Sequence, residues 1–102
     1  MLEKTVELRL KRLEGMGFKV LKLRTPGVSG VPDRMILRPK YAPGPPMFVE
    51  LKAPRKHERA LQAAVRGDWR LRGVDVLDMC DTVEKVDALI DDLAQLVGDL
   101  SE

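Results

Sequence analysis

Met47-Phe48-Val49-Glu50-Leu51-Lys52 is the stretch on which the fold turns. It is rich in strand formers, and strand periodicity points Glu50 and Lys52 to the same face. Phe48, Val49 and Leu51 mark it as a core-type strand, where two charged groups are expensive unless they have a role. The preceding Pro43-Gly44-Pro45-Pro46 reads as a stiff turn, joining it to an earlier strand from Asp33 to Leu37. Folding back through that turn sets the start of one strand opposite the end of the next. Asp33, Glu50 and Lys52 are therefore expected at one end of the sheet.

Working outward, Phe18 to Arg24 is a further short strand that stops at Thr25-Pro26-Gly27. The segment from Pro26 to Pro32 is loop by composition. The three strands form a meander. Before them, Leu2, Val6, Leu10 and Leu13 recur at helical spacing, and Gly15 and Gly17 end a first helix over Leu2 to Glu14. Glu3 and Glu7 lie four apart on one side of it. After the meander, Arg55 to Arg72 follows Pro54 with a stripe of Leu61, Ala64, Val65 and Leu71, and Gly73 is placed to cap it. Val74 to Cys80 is a fourth strand, expected to run parallel to an earlier one because a helix intervenes. Asp81 with Glu84 resembles a capping pair for a last helix carrying Val83, Val86, Leu89, Ile90, Leu93 and Leu96. The order α-β-β-β-α-β-α predicts an α/β fold with a mixed sheet of about four strands. Repeats and low-complexity tracts are absent, so residues 1–102 read as one domain.

Composition narrows the class. The 102 residues are 44% hydrophobic and 33% charged, as in a soluble globular chain, and no apolar run approaches membrane-spanning length. The N-terminus lacks the apolar stretch and cleavage site of a secretory signal, so a cytoplasmic protein is expected. Cys80 and His57 are the only residues of their types, which excludes an intrachain disulfide and a Cys/His zinc cage. Cys80 ends an apolar run and reads as a small hydrophobe; His57, among cations, reads as a surface histidine. Charge is segregated: residues 1–72 hold 17 Lys/Arg against 7 Asp/Glu, and residues 73–102 hold 1 against 9. This suggests a basic face for a polyanion with an acidic flank turned elsewhere. Mixed charge that only solubilises a small domain fits as well, and charge alone does not choose.

The chemistry favoured by Asp33, Glu50 and Lys52 is phosphodiester hydrolysis. Hard divalent cations such as Mg²⁺ prefer carboxylate and carbonyl oxygens, and Asp33, Glu50 and the Leu51 backbone carbonyl could supply them. The metal would activate a water, and Lys52 would orient that water or offset the developing charge. Gln62, on the next helix, could hydrogen-bond a metal-bound water or hold Lys52. The plainer alternative is an exposed Glu–Lys pair worth less than about 1 kcal/mol, with Asp33 a turn residue.

Gly30-Val31-Pro32-Asp33-Arg34, Phe48-Val49-Glu50-Leu51-Lys52-Ala53-Pro54, Gln62 and Gly73-Val74-Asp75-Val76 together resemble the VRR-NUC family, the virus-type replication and repair nucleases of the PD-(D/E)xK superfamily. The resemblance runs from Glu3 to the last helix and implies a small restriction-endonuclease-like domain. It implies that Asp33 and Glu50 ligate Mg²⁺ or Mn²⁺, that Lys52 is the catalytic lysine and that Gln62 is the helix glutamine. It also implies an acidic residue on the first helix, here Glu7, one residue before Leu8, with Glu3 the alternative one turn earlier. Small stand-alone members resemble phage-encoded enzymes, which implies a homodimer acting on branched DNA such as Holliday junctions. No nucleotide cofactor is expected.

Phosphate contacts are expected from Lys22, Arg24, Arg34, Arg55, Lys56 and Arg59, all in the basic two-thirds. Such contacts set affinity and not sequence choice. Aromatic residues are too few for a base-stacking platform. The leading expectation is thus a metal-dependent, structure-selective endodeoxyribonuclease. A catalytically silent DNA-binding or recombination accessory module of the same fold is the alternative. An accessory protein acting only through protein contacts ranks last, because it leaves the charged strand positions unexplained.

Overall fold

Val6, Leu10 and Leu13 recur every three to four residues, and all three are fully buried. In the computed structural model, which describes residues 3–24, 30–51 and 60–100, they lie on helix α1 (Glu3–Leu10) and on the 3-10 helix that continues it (Lys11–Met16). The sequence reading expects one α-helix to Glu14; the final turn instead tightens. Gly17, at φ 93°, ends it with its N–H on Glu14 O at 3.1 Å. A side chain there would face both a left-handed backbone and Pro39, whose Cβ would lie 3.1 Å from the added carbon.

Strands β1 (Lys19–Lys22), β2 (Arg34–Leu37) and β3 (Met47–Val49) form the expected antiparallel meander. After helix α2 (Ala60–Leu71), strand β4 (Asp75–Val76) pairs parallel to β3, giving sheet order β1-β2-β3-β4. The predicted fourth strand, Val74 to Cys80, contracts to two residues plus an isolated parallel bridge between Leu51 and Cys80. Helix α3 (Val83–Leu100) closes the described chain. Class and order agree with the α-β-β-β-α-β-α expectation.

One face of the sheet carries Ile36, Met47, Val49 and Leu51, all buried. Across it lie α1 and α3, the latter through Val86, Ile90, Leu93 and Val97, spaced four, three and four apart on one helical face. This stripe packs inside the domain. The other face meets α2 through an edge-to-face contact of Phe48 with Trp69, ring centroids 5.3 Å apart. The α2 stripe departs from expectation, since no α2 residue is buried, Leu61 is 51% exposed and Leu71 90%. Gly73 closes the helix with its N–H on Arg70 O at 3.0 Å, as predicted.

The cap of α3 is corrected. Thr82, and not Asp81, accepts the Lys85 N–H on its Oγ1 at 3.1 Å, while Asp81 pairs with Lys85 Nζ at 2.8 Å. The acidic flank is also not turned away from the basic segment. Arg9 and Arg12 both reach Asp87, Arg38 reaches Asp75, and Arg70 reaches Asp78. Arg38 Nε additionally donates to Pro45 O at 3.0 Å, tying the proline-rich turn to β4. No described helix is long and apolar enough to cross a membrane.

Candidate active site

The β2–β3 register pairs Arg34 with Val49, so the next step along it sets Asp33 opposite Glu50. The ladder continues past both strand ends. Leu23 N–H donates to Asp33 O at 2.8 Å, and Cys80 N–H donates to Glu50 O at 2.9 Å. Between the two acids, the Leu51 N–H donates to Asp33 Oδ1 at 3.1 Å. Asp33 is thus fixed against the residue that follows Glu50. Glu50 is 9% exposed, and both acids have further partners beyond these backbone bonds. A carboxylate so withdrawn from water demands compensating charge or hydrogen bonds.

Asp33 also has a charged partner, Arg34, which the sequence reading missed. It lies on the core-facing side of β2 in line with Ile36 and is only 2% exposed. Its Nη1 contacts Asp33 Oδ2 at 2.6 Å and also donates to Asp33 O at 3.2 Å, while Nη2 lies 3.4 Å from Glu7 Oε2. Arg34 is therefore corrected from phosphate contact to internal ion pair: its guanidinium is buried between two acids of its own chain. The legible signal was its position, since a cation alternating with buried apolar residues needs a counter-ion.

Glu7 is brought to the site by the same contact. Its carboxylate is one-third exposed and borders a pocket of about 180 Å³ with Lys11, Val20, Lys22 and Arg34. A larger cleft of about 420 Å³ lies on the other flank, against Cys80, Lys85 and Leu89. It has none of the predicted site residues, and burial pushes the Cys80 thiol up from 9.0 to about 11, which suppresses nucleophilic chemistry there.

Gln62, in the first turn of α2, is half-buried and partnered. Lys22 and Arg24 are exposed on and just after β1, the sheet edge. Lys52, Arg55, Lys56 and Arg59 lie outside the described residues. Among the described residues no three His, Cys, Asp or Glu side chains form a metal cage by themselves. Two adjacent carboxylates nevertheless suit Mg²⁺, which one or two protein acids hold alongside waters and phosphate oxygens.

The fold is a small α/β domain whose mixed sheet gathers acids where β2 begins and β3 ends. No family model and no curated protein matches the chain. A solved structure described as a "VRR_NUC domain" is similar to it, with 32% sequence identity, 87% of this chain and 94% of that chain covered, and a TM-score of 0.73. At that identity and coverage the chain belongs to the VRR_NUC family.

Proposed function

We propose that this chain is a Mg²⁺- or Mn²⁺-dependent DNA endonuclease, with residues 1–102 working as one nuclease domain on branched DNA such as Holliday junctions. The process served is phage replication, recombination or repair, in the cytoplasm of a bacterial or phage-infected host cell. One observation carries the reading: the Leu51 N–H bond to Asp33, which joins β2 to the end of β3 beside the buried Glu50. That bond supports a site whose oxygen donors come from two strands.

Asp33, Glu50 and the Leu51 carbonyl would hold the cation, with Glu7 as a further oxygen donor from α1. A divalent ion there supplies Lewis acidity and makes a bound water more acidic. Lys52, two residues beyond Glu50, orients the attacking water or offsets charge growing on the phosphate. Gln62 hydrogen-bonds that water or steadies Lys52. Lys22 and Arg24, with Arg55, Lys56 and Arg59, track phosphates by charge and shape. Two incisions across a four-way junction call for a twofold pair of sites, which a homodimer provides.

The deciding experiment incubates purified protein with a labelled four-way junction, with and without Mg²⁺ or Mn²⁺. Cutting is expected only with metal, and Asp33→Ala and Lys52→Ala are expected to abolish it while junction binding survives. Equal cutting by wild type and both variants would remove the mechanism.

A further inference from the structure

We infer that Arg34 is a resident counter-cation that sets how tightly the site takes a divalent ion; the inference rests on the metal-site reading of Asp33. The observation is the placement of one buried guanidinium between two acids, 2.6 Å from Asp33 Oδ2 and 3.4 Å from Glu7 Oε2. Asp33 uses its two oxygens separately, Oδ1 for the Leu51 N–H and Oδ2 for Arg34. A carboxylate offers about four lone-pair sites, and these two anchors take one on each oxygen.

Charge decides the consequence. Glu7 and Asp33 stand on different elements, and without metal their mutual repulsion is offset by Arg34, which links α1 to β2. A hard cation binds roughly 2 Å from a carboxylate oxygen, so an ion on Oδ2 would stand within roughly 5 Å of the guanidinium nitrogen. Even with bulk-water screening, a unit charge that close weakens a divalent ion's binding about tenfold. Arg34 thus stabilises the metal-free protein and loosens its grip on metal. It is a positioning residue, acting through Asp33 and Glu7.

The test compares wild type, Arg34→Gln, Arg34→Lys and Asp33→Ala for Mn²⁺ binding by calorimetry and for Tm with and without Mn²⁺. Arg34→Gln keeps hydrogen-bond donors but loses the charge. It is expected to melt lower than wild type without metal, to bind Mn²⁺ about tenfold more tightly, and to gain more Tm on adding it. Arg34→Lys, which keeps the charge, is expected to restore an affinity near that of wild type. A role in packing alone would lower Tm equally with and without Mn²⁺ and leave affinity unchanged or weaker; that result overturns the inference. If Arg34→Gln fails to fold, Arg34→Lys decides, because Mn²⁺ binding weakened as severely as by Asp33→Ala would overturn it as well. Wild type that takes no Mn²⁺ would overturn both this inference and the nuclease reading, whereas wild-type binding lost in Asp33→Ala but unaltered in Arg34→Gln would overturn this one alone.

Discussion

A single backbone hydrogen bond separates what Asp33 does for the fold from what it does for chemistry. Leu51 is fully buried, and its N–H has Asp33 Oδ1 as acceptor. Asp33→Ala leaves that amide unpaired, a cost of about 1–3 kcal/mol, whereas Asp33→Asn keeps an acceptor in place. Urea denaturation is expected to rank Asn above Ala by that margin although both lose cutting; equal stabilities would show that the bond contributes nothing. Cys80 gives a second reading at this scale. Its thiol is pushed up to about 11 from 9.0 by burial, so at pH 8 it should alkylate with iodoacetamide roughly a hundredfold more slowly than an ordinary thiol. The unfolded thiol ionises above 9.0 while the folded one stays protonated. Stability is therefore fully present below pH 9 and falls as pH rises through about 11, a loss that Cys80→Ala should blunt. Arg34 shows where sequence alone ran short: its place on β2 and its neighbour Asp33 were legible, but Glu7 lies on α1, and only tertiary packing brings it within reach of the same guanidinium.

At the scale of elements, periodicity carried most of the information. The 3–4 spacing of Val6, Leu10 and Leu13 marked a helix face that is buried; of the residues read along the last helix, Val86, Ile90 and Leu93 are buried, Val83, Leu89 and Leu96 only partly so, and the buried Val97 was not among them. The α2 stripe did not mark a buried face. Spacing says which residues share a side and not what covers them, and Leu71 ends 90% exposed. Boundaries were the weakest part. Val74 to Cys80 has strand composition, yet β4 pairs over two residues and then only at Cys80, because bridging needs a neighbour in register as well as propensity. Capping was misassigned by one residue, since Asp81 and Thr82 are both good N-caps and only geometry separates them. Thr82→Ala should cost about 1 kcal/mol in chemical denaturation, and Asp81→Ala, which loses a partly exposed pair with Lys85 but no cap, should cost less; the reverse order would return the cap to Asp81.

For the whole molecule, the decisive fact is that segregated charge along the chain is partly rejoined in space. Asp87, Asp75 and Asp78 pair with Arg9, Arg12, Arg38 and Arg70 and offset three of those four charges, which leaves a smaller basic surface than a count by segment suggests. Lys11, Lys19, Lys22, Arg24 and Lys40 stay exposed, with Lys19 and Lys22 on the edge strand β1. Removing a phosphate contact lowers the dependence of log affinity on log salt by about 0.9. Lys22→Ala and Arg24→Ala should each show that loss in junction-binding titrations, while Arg9→Ala should leave the slope unchanged; an equal effect of Arg9→Ala would mean that its pairing with Asp87 does not withdraw it from DNA. The meeting of Asp33 and Glu50 was legible because local sequence distance favoured it: a hairpin brings one to the other with little loop to close. Their brace was not local. The Cys80 N–H that holds Glu50 O is contributed thirty residues later, across the whole of α2.

That distance has a consequence for the chain as it is synthesised. A growing polypeptide holds Asp33, Glu50 and the complete meander before residue 80 has been translated, so the acids exist for a time without the segment that pins the end of their strand. Docking of the final third is then the step that completes the site, and a message truncated at β4 would encode both acids while failing to fix their geometry.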